Sequence, residues 1–106
     1  MKRGEIWWVN FDRSVSGEIH KKRPALIVSN NAANQFLNRV QVVPLTGSIG
    51  KLYPSEAYVT FRGKQSKAMA DQLTTVSKER LINRAGALSV TDMERVNQAI
   101  TTQLDI

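Results

Sequence analysis

Residues 5 to 11, Glu-Ile-Trp-Trp-Val-Asn-Phe, are crowded with β-branched and aromatic side chains, the types that suit a pleated strand. Successive side chains of a strand point to opposite faces. Trp7, Val9 and Phe11 therefore share one face, and Ile6 and Trp8 share the other. A strand that is apolar on both faces lies either in the middle of the fold or half in the fold and half against a partner, with Trp7 or Trp8 at the interface. Residues 12 to 22 break the pattern with Asp, Ser, Gly and basic residues. They read as a mobile surface loop longer than most hairpin connections, a length often tied to function. Pro24 to Ser29 is continuously apolar up to its last residue and reads as a buried strand, with Pro24 at its first position, where no ladder donor is missed.

Asn30 to Asn38 reads as a short helix or turn that Ser29 or Asn30 can cap. Val40 to Leu45 returns as a strand, followed by a small-residue loop from Thr46 to Gly50. Ala57 to Phe61 alternates as a half-buried strand, Arg62 to Lys64 is a basic turn, and Ala68 to Val76 is a further strand interrupted by the polar pair Asp71 and Gln72. The clearest helix is the last segment. Ser89 stands as its N-cap with Asp92 three residues on, Leu88 can staple against Met93, and Met93, Val96, Ile100 and Leu104 form one stripe. That stripe fits the core of the fold better than a recognition surface. The pattern is that of a mainly β chain of the α+β class, and 106 residues without a linker or repeat suit one domain spanning 1–106.

Charge adds a direction. Fifteen Lys and Arg against nine Asp and Glu leave a formal charge of +6, which favours polyanionic partners such as nucleic acid but also describes an ordinary solvated basic face. With no cysteine and one histidine, disulfides, thiolate metal sites and a Cys nucleophile are ruled out, and no metal cage or cofactor is expected. No apolar run approaches a membrane span and the N-terminus lacks a signal-peptide core, so the cytoplasm is the expected compartment.

Candidate chemistry gathers beside the strands. Lys21, Lys22 and Arg23 precede a buried strand. At that boundary the backbone of Arg23 is fixed, so its guanidinium can present a planar fork to a phosphate; the competing reading is an edge charge that discourages strand aggregation. Thr46 opens a loop whose hydroxyl and N–H groups can bind an anion, although Thr-Gly-Ser is also common turn chemistry. Asp71 and Gln72 break an apolar strand, as functional residues or hydrogen-bonded structural ones do. No Ser/His/Asp set, Gly-rich phosphate loop or zinc motif is present, and His20 is the sole imidazole.

The string RGEIWWVNFD, then a Gly-Glu loop and RPALIVSN, then VVPLT, YPSE and ADQLTTVSKERL, resembles the MazF/PemK-type toxins in order and spacing over most of the chain. The resemblance implies an SH3-like barrel with a C-terminal helix and a homodimer. It also implies metal-independent cleavage of single-stranded RNA at the 2′-hydroxyl to a 2′,3′-cyclic phosphate, and neutralisation by a cognate antitoxin. A groove that accepts the unpaired bases of single-stranded RNA, together with the charge excess, suggests an acidic, disordered antitoxin tail. The resemblance assigns Arg23 and Thr46 to catalysis and places the loop acid at Glu18, a candidate base. It also matches the Asp-Gln pair to Asp71 and Gln72. Lys21, Lys22, Lys64 and Lys67 are candidates to track phosphates, and Glu18, Ser48, Asp71 and Gln72 to read base edges. Some family members carry a further His beside the loop acid and an Arg two places before the Asp, where this chain has Gly17 and Met69. His20 does not take the former position and stays among the RNA-contacting candidates. CcdB-like toxins, which bind DNA gyrase without chemistry, share the fold but carry a C-terminal Trp-Gly-Ile; this chain ends Gln-Leu-Asp-Ile. A catalytically silent RNA-binding module is the third reading.

Overall fold

The computed structural model describes residues 1–11 and 22–106. Among these, seven strands form one curled antiparallel sheet: β1 Glu5–Asn10, β2 Lys22–Ile27, β3 Arg39–Thr46, β4 Glu56–Phe61, β5 Lys64–Met69, β6 Thr74–Ser77 and β7 Leu81–Ala87. A short helix α1, Asn31–Phe36, links β2 to β3, and α2, Val90–Leu104, follows the last strand. The order across the sheet is β4-β5-β3-β2-β1-β7, with β6 also paired to β3.

β1 is an interior strand, flanked by β2 and β7. Its alternation sorts side chains between two cores. Ile6 joins Leu26, Val28, Val43, Leu45, Val59 and Val96 on the side of α2, while Val9 joins Ala25, Ile27, Val40, Val42 and Val76 on the other, with Trp7, Phe11 and Leu81 packed against them. Both faces of β1 therefore serve the protein's own cores, and of its two tryptophans only half-buried surface is left over. Two register shifts in the β1–β7 pairing, around Trp7 and Trp8, mark bulges, and bulges bend and twist a strand. The curl brings β7 to the far edge of the sheet, where a Cβ built on Gly86 would lie 3.9 Å from the Phe61 ring of β4.

Glu5 ties the opening of β1 together. Its Oε1 accepts the Lys2 N–H at 2.8 Å and the Trp7 indole N–H at 3.0 Å, and its Oε2 accepts from Arg84 Nε of β7 at 3.1 Å. Burial pushes this carboxyl up, but those donors and the N-terminal ammonium outweigh it and hold Glu5 below the ordinary glutamate value.

Two expectations change. The strand read from Ala68 to Val76 is two strands, because residues Ala70–Gln72 form a 3₁₀ turn. β5 and β6 both run along the same edge of β3, Leu45 opposite Ala68 and Val42 opposite Thr74, and the register steps by the length of that turn. β7, absent from the sequence reading, lies at the end of the sheet path with exposed Ile82, Asn83 and Arg84, a polar pattern of the kind edge strands adopt.

α2 begins where its sequence signals place it. Ser89 Oγ accepts the Asp92 N–H at 3.1 Å. The Asp92 carboxylate turns outward from the helix to accept the Thr60 N–H of β4 at 2.8 Å and Arg95 Nη1 at 3.0 Å. Val96 and Ala99 are buried, with Leu88, Met93 and Ile100 packed beside them. Leu104 departs from the expected stripe and is 52% exposed. Ser89→Ala is expected to cost about 1 kcal/mol through the lost cap, read as a lower urea midpoint at unchanged slope.

Candidate active site

Pro24 shapes the site. It lies two residues inside β2, opposite Trp8 of β1, and not at the first position of the strand as expected. The β2–β3 pairing begins only after it, at Ala25 opposite Pro44, in keeping with a residue that has no N–H to give to a ladder. Continued two residues further, the same register sets Arg23 level with Thr46, but the strands there are no longer zipped. The result is a cleft of about 400 Å³ lined by Trp8, Lys22, Arg23, Pro24, Leu45, Thr46 and Gly47.

Arg23 and Thr46 are each half-buried, and Lys22 is exposed. Among the described residues no acceptor engages the Arg23 guanidinium, so its five donors are available to a ligand. Thr46 Oγ1 accepts the Ser48 N–H at 3.2 Å. That bond uses an acceptor lone pair and leaves the hydroxyl proton to donate. A basic fork and an oriented hydroxyl lining one cleft, walled by half-buried Trp8 and Pro24, make a suitable place for a phosphate next to a flat apolar group.

Other expected site residues fall elsewhere. Lys67 does not track phosphates from the surface: it is 7% exposed, with Nζ 2.9 Å from Glu56 Oε1 and 3.0 Å from the Lys51 carbonyl oxygen. The pairing of Thr46 with Lys67 explains this, because it places the lysine beside the cleft but on a covered face of the sheet. Burial pushes Glu56 up, and the Lys67 hydrogen bond, the Tyr53 N–H and the Lys67 charge outweigh it, so its carboxyl stays below the ordinary value. Lys64 is exposed at the β4–β5 turn, which Arg62 and Gly63 make with φ of 52° and 76°. Asp71 and Gln72 are exposed on the 3₁₀ turn alongside β3, outside the cleft lining, and Gln72 Nε2 reaches Met69 Sδ at 3.5 Å. Ser48 is exposed in the loop after β3. Glu18, His20 and Lys21 lie outside the described residues.

Two features escaped the sequence reading. The apolar cleft wall of Trp8 comes from a β1 position that alternation leaves between the core and a partner interface. Tyr58 has nothing in the alternation of β4 to mark it, yet its hydroxyl lies 3.0 Å from the Ile49 carbonyl oxygen and 2.8 Å from that of Gly50.

Comparison with known proteins agrees with this architecture. Endoribonuclease MazF9 of Mycobacterium tuberculosis is 36% identical over 115 residues, covering 100% of this chain and 98% of the relative. Endoribonuclease EndoA of Bacillus subtilis is 25% identical over 109 residues, covering 98% and 94%. Among solved structures, an endoribonuclease in complex with its cognate antitoxin from a mycobacterial species superposes with a TM-score of 0.84 at 26% identity, covering 100% of this chain and 96% of that one. MazF from Deinococcus radiodurans shares the fold, with a TM-score of 0.82 at 24% identity over 100% and 97%. The family of PemK-like, MazF-like toxins of type II toxin–antitoxin systems matches residues 2–104, and the chain belongs to that family.

Proposed function

We propose that the protein is the toxin of a type II toxin–antitoxin pair and acts as a metal-independent endoribonuclease on single-stranded RNA. The observation that carries this reading is the cleft of about 400 Å³ at the unzipped ends of β2 and β3, which Arg23 and Thr46 line together. RNA brings its own nucleophile. The 2′-hydroxyl loses its proton and attacks the adjacent phosphorus, the P–O5′ bond breaks as O5′ takes up a proton in exchange, and the products are a 2′,3′-cyclic phosphate and a 5′-hydroxyl fragment. The enzyme has to hold that phosphate in line and stabilise the charge that develops on it. Arg23 supplies the charge, and the Thr46 hydroxyl donates to a non-bridging oxygen. Arginine stays protonated and makes a poor base; Glu18 is the proposed acceptor of the 2′-hydroxyl proton. Lys22 and Lys64 are exposed and suited to the flanking phosphates, with Ser48, Asp71 and Gln72 exposed and suited to base edges.

The protein works in this reading as a one-domain protomer of a homodimer in the cytoplasm, and no helix among the described residues is long and apolar enough to cross a membrane. An antitoxin with an acidic, disordered tail fits the net charge of +6 and would compete for the same cleft. The test is incubation of purified protein with a long unstructured RNA in the presence of chelator. Fragments ending in 2′,3′-cyclic phosphate are expected; RNA that stays intact would overturn the reading.

A further inference from the structure

The loop between β3 and β4, residues 47–55, starts at the candidate catalytic threonine and contains no helix or strand. Side chains from the sheet beneath hold it in place. Lys67 is paired with Thr46 on one side and with Tyr58 on the other, and directly paired residues of neighbouring strands point to the same face. Thr46, Lys67 and Tyr58 are therefore a row across β3, β5 and β4. Two members of that row reach up into the loop: the Tyr58 hydroxyl sits against the Ile49 and Gly50 carbonyl oxygens at 3.0 and 2.8 Å, and the Lys67 ammonium donates to the Lys51 carbonyl at 3.0 Å. Glu56 completes the set, accepting from Lys67 at 2.9 Å and from the Tyr53 N–H at 3.0 Å. Four of the five residues from Ile49 to Tyr53 are thus pinned through their backbone, directly or through Glu56, to the strand row that ends in Thr46.

We propose that Tyr58, with the Lys67–Glu56 pair, is a positioning device for catalysis that acts through Thr46. The Ser48 N–H fixes the Thr46 hydroxyl by donating to it at 3.2 Å. Ser48 lies one residue before the first clamped carbonyl, so the clamp determines where that N–H sits and, through it, which way the threonine proton points. The two hydroxyls have different tasks: that of Thr46 meets substrate, and that of Tyr58 meets only the loop. This inference rests on the endoribonuclease reading for its kinetic consequence, but the clamp itself is a property of the free protein.

Tyr58→Phe removes the hydroxyl and keeps the ring. With an RNA substrate it is expected to lower kcat about tenfold at unchanged KM, since misplacing a group used in the transition state affects the chemical step. In a Thr46→Val background the same substitution should cost nothing further, because the group it positions is gone. A role in stability alone would lower kcat by the same factor in both backgrounds, and that result, or a wild-type kcat in Tyr58→Phe, overturns the proposal. Amide hydrogen exchange without RNA separates the two readings. The Ser48 N–H should exchange faster in Tyr58→Phe than in wild type, while β2 amides stay protected. An unchanged Ser48 rate overturns the clamp whatever the RNA shows, whereas a wild-type protein that leaves RNA intact overturns the endoribonuclease reading alone.

Discussion

Arg23→Ala is expected to remain folded and to cleave RNA roughly 100- to 1000-fold more slowly than wild type, the usual cost of removing one charge-stabilising donor from a transition state. The guanidinium stands in the cleft with no acceptor among the described residues, so its removal leaves no partner stranded. The stability change should stay within about 0.5 kcal/mol, as for substitutions that touch no core or hydrogen-bond network. Arg23→Lys should recover only part of the rate, because an ammonium cannot form the bidentate fork. Thr46→Val should lose less than Arg23→Ala, since one neutral hydrogen bond disappears. Single-turnover cleavage beside urea unfolding of each variant checks the set. A folded Arg23→Ala protein with near-wild-type cleavage would refute the assignment of charge stabilisation to this residue.

Lys67→Met should destabilise the protein by about 3 kcal/mol at neutral pH, because removing one member of a buried ion pair leaves the other charge uncompensated. The side chains of Lys67 and Glu56 are 9% and 12% exposed, so water can rescue little of the loss. The pH dependence identifies the cause. In wild type the Glu56 carboxyl is held below its ordinary value of 4.5; a depressed folded pKa contributes stability that is present above the unfolded pKa and lost as pH falls through the folded one. In Lys67→Met only the Tyr53 N–H still opposes burial, so the carboxyl moves upward from its wild-type position. The gap between the two proteins should therefore be full at neutral pH and narrow at about pH 4 and below. Glu5, also held low, titrates in both proteins and cancels in the difference. Urea midpoints at the two pH values measure this, and a pH-independent gap would show that lost packing is responsible.

Much of the fold was legible because it depends on local periodicity. The two-faced alternation of β1, the apolar run of β2 and the Ser89 cap of α2 all survive in the structure, as each follows from neighbours in sequence. Arg23 was legible as a boundary residue. Its counterpart Thr46 is legible as a hydroxyl able to bind an anion and through the resemblance, but the residues alone leave it open to ordinary turn chemistry, since what distinguishes it is the level of β3 against β2. The long-range partners were hidden. Nothing local marks Lys67 as buried, because its burial depends on Glu56 on the neighbouring strand and on the Lys51 carbonyl, and a lysine without those partners would have stayed in water. Asp71 and Gln72 were correctly seen to break a strand, but whether such a break serves a ligand or a change of register depends on the strand beside it. β7 escaped for the opposite reason: with only one neighbouring strand and several polar residues, it carries little of the apolar pattern from which strands are read.

The strand order separates the residues of the cleft from the segments that brace it. Arg23 and Thr46 are both made early in synthesis, yet β3 takes its other edge from β5 and β6, and β1 takes its second neighbour from β7. Pairings between residues this far apart form only after the later segment is present. The cleft lined by Arg23 and Thr46 is therefore framed from behind by segments synthesised after it: β3 and β1 gain their full set of neighbours only once β5, β6 and Leu81–Ala87 are present.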